Sequence, residues 1–353
     1  MATFDRYALP AEPAWEVTGP VPASFRWEYQ DGREPLTNLY RKGKRLQWDA
    51  ETRIDWSQSL DPENPEEMPD ESLPIFTWEG WGRLTRQEKA NVRRHFQSWQ
   101  ISQFLHGEQG ALICTARIVE EVPRIDAKLY AATQVADEAR HVEAYARLLH
   151  DKFELAYPIN PYLQKLLADV LSDSRWDMLY LGMQVLIEGL ALAAFQVIRD
   201  GAKNPLAAAV NAYVMQDEAR HVAFGRLALR DYYPELSDKE RDEREEFAVE
   251  ACYLMRDRFL AEEVWERVGL PVESCMAHVS GSGFMQEFRS FLFTRIVPTI
   301  KHIGLWGPRI RKAYEDMGIL GFAEVDAEEL QRHDEQVAEE FDRQMARAAE
   351  TSA

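Results

Sequence analysis

The chain has 353 residues, 46% of them apolar and 29% charged, which is the balance of a globular protein long enough for one large core or two ordinary ones. Its formal net charge of −19 opposes contact with a polyanion and excludes non-specific nucleic-acid binding. Cys114, Cys252 and Cys275 are scattered with no CxxC spacing, which excludes a zinc ribbon, a thioredoxin-type site and a disulfide framework, and predicts reduced, buried thiols. The stretch MATFDRYALP has no basic region followed by an apolar one, and the longest apolar run, LIEGLALAAF, is short and interrupted by Glu188. The sequence therefore predicts no membrane span, no membrane partner and a cytoplasmic location.

Residues 1–83, rich in Pro, Trp and acidic side chains (LDPENPEEMPDESLP), read as an arm packed on a body, with one short helix at LTNLYRKGKRLQW. Residues 84–304 read as the helical body. Thr85 and Glu88 make a capping box ahead of a long helix that Pro123 stops near Glu121. A second long helix is predicted over roughly 125–153, a short one near 162–171, and a third long one capped by Ser174 and ending at Gly201. Asn204–Pro205 opens a fourth, which ends before Pro234. Ser237 with Glu240 caps a fifth that runs to Gly269, and a sixth spans about 283–303. Residues 305–353 read as amphipathic, strongly charged helices. No strand pair and no hairpin signal stands out, so the predicted class is all-α.

The pentapeptide DEARH occurs twice, at 137–141 and 217–221, and the repeat is larger than five residues. Glu108, in QFLHGEQGAL, precedes Glu138 by thirty residues, and Glu188, in QVLIEGLALAAF, precedes Glu218 by the same interval. The chain thus holds Glu, Glu and His at one spacing twice over. Glu138 and His141, at i and i+3, share a helix face, as do Glu218 and His221. Glu108 and Glu188 each interrupt an apolar stretch, where an ionised carboxylate is costly unless paired or bound to a metal.

Four antiparallel helices that present Glu, Glu-x-x-His, Glu and Glu-x-x-His inward form the layout in which a four-helix bundle holds two metal ions. Four carboxylates balance two divalent cations. Carboxylate-rich sites with one imidazole per metal and no thiolate suit iron or manganese. Glu108, Glu138 and His141 would then serve mainly one metal and Glu188, Glu218 and His221 the other, with Glu138 and Glu218 bridging. Asp137 and Asp217 would accept from the free N–H of a ligand imidazole, and Arg140 and Arg220 would pair with them; spacing does not decide which Asp meets which His. A duplicated structural salt-bridge layer would leave Glu108 and Glu188 without explanation. The other histidines, His95, His106, His150, His278, His302 and His333, have no carboxylate at ligand spacing and read as structural or surface groups.

On these residues the sequence resembles the ferritin-like di-iron carboxylate superfamily, in particular the ribonucleotide reductase small subunit and its oxidase and monooxygenase relatives, over roughly 39–233. The paired motif is also similar to that of the hydroxylase subunits of bacterial multicomponent monooxygenases. The resemblance implies a ferritin-like four-helix bundle with additional helices and an N-terminal arm. It maps Trp48, in LYRKGKRLQWDAETRIDWS, onto a radical-transfer tryptophan, and Tyr145, four residues after His141, onto a radical-forming tyrosine. A homodimer is a further implication.

Several positions depart from the reductase pattern. Glu108 stands where the small subunit commonly has Asp, the segment between Glu138 and Glu188 is short, and FDRQMARAAETSA lacks the tail that engages a large subunit. The arylamine N-oxygenases of the superfamily carry an additional histidine at the position of Val214, which argues against that branch, and the ligand-binding oxidases carry a cross-linked tyrosine at the position of Met183.

Two functions compete. One is an O2-activating di-iron oxidase or oxygenase, with two irons or a manganese–iron pair, that acts on a small organic molecule held among apolar residues such as Leu112, Leu192 and Phe195. It would draw electrons from an external reductase or ferredoxin, because no flavin or iron–sulfur motif is present. The other is a radical generator working through Tyr145, or a ferroxidase that handles iron itself.

Overall fold

The computed structural model describes residues 14–17, 23–27, 29 and 32–352. The arm contributes a two-stranded antiparallel ribbon, β1 (Ala14–Val17) and β2 (Ala23–Arg26), with Ala14 opposite Arg26. This strand pair was not expected from the sequence. It is short and carries no Asn-Gly or Asp-Gly turn signal. Arg26 Nε ties it to the Pro123 carbonyl at 2.9 Å.

Helix α1 (Glu34–Arg45) buries Leu36, Leu39 and Gly43 against the body, and α2 (Ala50–Arg53) is capped by the Asp49 carboxylate. At Gly43 a Cβ would come within 3.2 Å of Thr133 Oγ1, so the absent side chain lets α1 approach the body closely.

Four long helices form the bundle. α3 (Arg86–Glu121) begins at the predicted Thr85–Glu88 capping box and ends where Val122, extended ahead of Pro123, cannot continue it. α4 (Ile125–Arg147) continues into a π-helical turn, Leu148–Phe153, that stops at left-handed Glu154. After α5 (Pro161–Ser172) comes one continuous helix, made of α6 (Trp176–Leu179), a π-helical stretch Tyr180–Ile187 and α7 (Glu188–Gly201). Its start is not the Ser174 cap that the sequence suggests, because Asp173 takes the Arg175 amide at 2.9 Å and places the N-cap one residue later. α8 (Pro205–Tyr232) starts at the Asn204 cap, whose side chain accepts from Leu206 and Ala207.

The helix Trp176–Gly201 is long and apolar enough to cross a membrane, contrary to the sequence expectation that no segment could. Because 83% of its apolar window is buried inside the fold, it serves as the core helix of the bundle. Its phase also positions α8. A Cβ at Gly225 would meet Gln184 Cβ at 2.6 Å, so only glycine lets α8 lie this close to the π-helical stretch.

The remaining helices wrap this bundle and are more broken than predicted. α9 (Asp238–Asp257) ends early and is followed by α10 (Glu262–Arg267), because buried Ala261 adopts φ 52°, a left-handed break imposed by packing with no Gly or Pro to announce it. α11 (Val272–Gly281) precedes α12 (Gly283–Leu292). The predicted helix over 283–303 is in fact α12 and α13 (Ile296–His302), since Pro298 offers no N–H to Thr294 and confines itself to a first turn. α14 (Pro308–Asp316) and α15 (Ala327–Ser352) follow, with α15 lying along α8. All three cysteines are free and buried.

Candidate metal centre

The sequence repeat becomes a spatial one. Glu108 on α3, Glu138 and His141 on α4, Glu188 at the head of α7, and Glu218 and His221 on α8 are all buried and meet inside the bundle. Ligand atoms of Glu108, Glu138, His141 and Glu218 lie within 4.8 Å of one another, as do those of Glu138, Glu188 and His221. His141 Nδ1 lies 3.1 Å from Glu108 Oε2, 3.2 Å from Glu218 Oε1 and 3.4 Å from Glu138 Oε2. His221 Nδ1 lies 3.0 Å from Glu138 Oε1 and 3.4 Å from Glu218 Oε1. Glu138 and Glu218 thus sit between the two imidazoles, and Glu108 and Glu188 at the outer ends.

Of these approaches only His141 Nδ1 with Glu108 Oε2 is a hydrogen bond. Glu138 Oε2, Glu188 Oε2, both Glu218 oxygens and His221 Nδ1 are buried without a hydrogen-bond partner. Unpaired buried polar atoms are costly singly, and five of them facing one small volume make a structural layer a poor explanation. Lone pairs that converge without hydrogen-bond angles are what a cation requires, so the residues present fit a dimetal site.

Proton equilibria follow from the same crowding. Burial, with the Glu218 charge beside it, pushes the Glu108 carboxyl well above the usual range, and burial with Glu218 and Glu138 does the same for Glu188. Burial disfavours a charge on either imidazole. It is outweighed by Glu108 at His141 and by Glu218 at His221, so both are held well above the ordinary histidine range. Without metal, protons neutralise the cluster.

The surrounding shell answers the pairing that spacing leaves open. His141 Nε2 meets Asp217 Oδ2 at 3.1 Å and His221 Nε2 meets Asp137 Oδ2 at 3.3 Å, so each repeat's Asp holds the other repeat's His. This leaves Nδ1 of both rings toward the carboxylates. Arg140 bridges Asp137 at 2.6 Å and Asp217 at 2.7 Å, while Arg220 pairs with Asp217 and stands 3.5 Å from Asp137. Burial would raise Asp217, but the Arg220 guanidinium outweighs it and holds that carboxyl well below its usual range. Trp48, half-buried, donates its indole N–H to Asp217 Oδ2 at 2.8 Å, with the Arg140 guanidinium 4.7 Å from its ring centre.

Tyr145 is fully buried, stacks on Phe195 and donates to Asn211 Oδ1 at 3.0 Å rather than to a cluster carboxylate. Burial first, then the Glu108, Glu218 and Glu66 charges, push its phenol well above the usual range.

Gln134 was missed in the sequence. Its amide donates to Glu138 Oε1 at 3.0 Å and to Glu188 Oε1 at 2.9 Å, tying two halves of the cluster together. The signal was its i, i+4 spacing to Glu138. The repeat partner of Gln134 is Val214, fully buried, which makes this pair the clearest asymmetry between the halves.

A narrow cavity with about 420 Å³ of empty volume, its open mouth included, lies beside Glu108, Glu188 and Glu218, walled by Phe104, Met183, Ile187 and Phe195. Of the three expected lining residues, Phe195 lines this cavity, Leu192 lines a different one, and Leu112 lines neither. Arg258 also lines it. It is 7% exposed, its Nε has no partner, and burial draws its guanidinium down to about 10 against the weaker opposing pull of Glu263.

Residues 30–304, more than three quarters of the chain, match the family model described as P-aminobenzoate N-oxygenase AurF. No curated protein matches the sequence. Among solved structures, two mutants of an R2-like ligand-binding oxidase with anaerobically reconstituted Mn/Fe cofactor are similar at 18% identity and TM-score 0.50, covering 78% of this chain and 96% of theirs. A protein with aldehyde deformylating oxidase activity from Synechococcus is similar at 16% identity and TM-score 0.47, over 65% of this chain and 98% of its own. The family match overturns the argument from Val214 against the N-oxygenase branch. The match covers both copies of the motif and the bundle that carries them, and one apolar side chain beside the cluster does not outweigh it.

Proposed function

The chain belongs to the family described as P-aminobenzoate N-oxygenase AurF, and hence to the oxidoreductases of the ferritin-like di-iron oxygenase and oxidase superfamily, and from that premise we propose that it oxygenates the nitrogen of a small aromatic amine bearing a carboxylate. The observation that carries the reading is the convergence of unpartnered Glu138, Glu188, Glu218 and His221 atoms beside a cavity that is apolar on its walls and cationic at Arg258.

Glu108, Glu138 and His141 would hold one metal and Glu188, Glu218 and His221 the other, with Glu138 and Glu218 shared. Bound there, two irons, or a manganese and an iron, supply the activation and reduction of O2. The protein does the rest. Asp217 and Asp137 fix the imidazole orientation, Gln134 fixes the Glu138 and Glu188 carboxylates, and Phe104, Met183 and Phe195 keep water from the reacting nitrogen. Arg258 holds the substrate's acid end, so that the amine points toward the carboxylates.

Each oxygen insertion consumes O2, two electrons and two protons and releases one water. Electrons come from an external reductase or ferredoxin, entering through Trp48, whose indole joins His141 through Asp217. The test is to load the protein with Fe(II), reduce it, supply O2 and p-aminobenzoate, and look for hydroxylamine or nitro product by mass spectrometry. O2 uptake with no change in the amine would refute N-oxygenation.

Two substitutions probe the parts separately. Asp217→Asn removes the charge that orients His141, and metal affinity measured by chelator competition is expected to fall about 10- to 100-fold with the fold intact; unchanged affinity would remove Asp217 from this role. Arg258→Met is expected to raise KM for p-aminobenzoate roughly 100-fold while leaving kcat within a few-fold and KM for aniline nearly unchanged. Equal effects on the two amines would show that Arg258 does not hold the acid.

A further inference from the structure

A second cavity, unused by the reading above, lies toward the N-terminal end of α3. It has about 630 Å³ of empty volume, including its mouth, and its walls are mainly apolar and aromatic: Phe96, Trp99, Ile198, Phe259, Met285 and Phe288. Phe284, 43% exposed, stands at its edge. Trp99 precedes Glu108 by nine residues on α3 and Ile198 follows Glu188 by ten on α7, which places the cavity about 14 Å along the helices from the carboxylate cluster. Between them lie Phe104, Tyr145 and Phe195, which pack on one another.

One carboxyl group faces this apolar space. Glu66 is 0% exposed, and neither of its side-chain oxygens has a hydrogen-bond partner. Its backbone is anchored on three sides: its amide donates to Gln97 Oε1 at 3.0 Å, and its carbonyl accepts from Lys203 and Asn204 at 3.2 and 3.3 Å. Glu67, with φ 53°, completes the turn that carries Glu66 inward. Burial alone raises its carboxyl to about 8. Held rigidly among aromatic rings, this acid keeps its proton near neutral pH, and a cation bound beside it would displace that proton and pair with the carboxylate left behind.

Among the described residues no Lys, Arg or His lines the cavity. Of its polar side chains, Gln97 is already spent, with Oε1 on the Glu66 amide and Nε2 on Asn64 Oδ1 at 2.8 Å. A buried carboxyl that ionises only beside a positive charge, set among aromatic faces, therefore selects a cationic N–H donor on an apolar body, where the rings add cation–π attraction. Trp99 Nε1, also buried and unpartnered, can serve one acceptor atom on the same ligand.

We propose that this cavity is a binding site for a primary amine with an aromatic or aliphatic body, anchored by Glu66 and separate from the oxygenation site. The ammonium group pairs with the Glu66 carboxylate, and the body lies among Phe96, Phe259 and Phe288. The site does not depend on metal in the cluster or on the function proposed above.

Calorimetric titration of the full chain with 2-phenylethylamine, and with 2-phenylethanol as the uncharged isostere, tests it. The expected result is saturable binding of the amine, at least tenfold weaker binding of the alcohol, and at least tenfold weaker amine binding by Glu66→Gln. Leu73→Trp, which adds bulk to the cavity wall and leaves the Glu66 side chain in place, is expected to abolish amine binding. Glu188→Ala, a change in the cluster, is expected to leave it intact, so that failure of this site and failure of the oxygenase reading remain distinguishable. No binding by the wild type, equal binding of amine and alcohol, or loss of binding in Glu188→Ala with retention in Leu73→Trp would each overturn the proposal.

Discussion

Replacing Glu188 with alanine is expected to reduce the metal content from two ions per chain to one or fewer and to lower O2 consumption by more than about 100-fold, beyond the loss typical of a residue that only orients a ligand. Glu188 is buried, its Oε2 has no partner, and its Oε1 is met only by the Gln134 amide among the described residues. A carboxylate so placed is unfavourable in the metal-free protein. Its removal should therefore leave the melting temperature of the apoprotein equal or higher, because a buried ionisable group is lost along with the binding. The combination separates a ligand from a structural residue: a structural Glu188 would lower the apoprotein's stability and leave the metal count at two.

The second large effect is an opposed pH dependence of the metal-free and metal-loaded forms. Glu108 and Glu188 are raised in the folded chain, chiefly by burial, so above the ordinary carboxylate range the folded chain keeps protons that the unfolded chain has released. Their effect is to lower apoprotein stability as pH rises through that window. His141 and His221 are raised as well, burial being outweighed by the carboxylates. Their stabilisation is complete below the unfolded value of about 6.5 and is lost as pH climbs toward the folded one. Asp217, held low because Arg220 outweighs its burial, contributes above the usual carboxylate range and loses this only in acid.

From about pH 5 to 8 the apoprotein should thus become less stable. Metal binding displaces the same protons and tightens over the same range. The gap in melting temperature between the two forms is expected to widen with pH and to reach on the order of 10 °C at saturating metal near neutrality. Scanning calorimetry at several pH values checks it; parallel curves would mean that the raised groups are not the ones that bind.

The six cluster positions were legible in the sequence because two signals agreed, a repeat at one offset and acids inside apolar stretches at Glu108 and Glu188. The capping box at Thr85 and the cap at Asn204 marked α3 and α8 for local reasons that tertiary packing did not overrule. What escaped was set by packing. Ala261 turns left-handed although nothing in its side chain asks for it, and the π-helical stretch before Glu188 has the composition of any apolar helix. The cross-pairing of Asp217 with His141 and Asp137 with His221 depends on how α4 and α8 face each other, which spacing along either helix does not encode. Arg258 and Glu66 were invisible for another reason: each is an ordinary charged residue in a charged neighbourhood, and only burial makes its missing partner conspicuous.

The central claim, that the repeated motif builds one dimetal site with both imidazoles turned inward through Nδ1, is tested most directly by a crystal structure of the iron-loaded protein with anomalous data collected at the iron edge. The account predicts two iron peaks among Glu108, Glu138, Glu188 and Glu218, one beside His141 Nδ1 and one beside His221 Nδ1, with Nε2 of each ring still on Asp217 and Asp137. A single peak, peaks outside this cluster, or coordination through Nε2 with the aspartates released would contradict it.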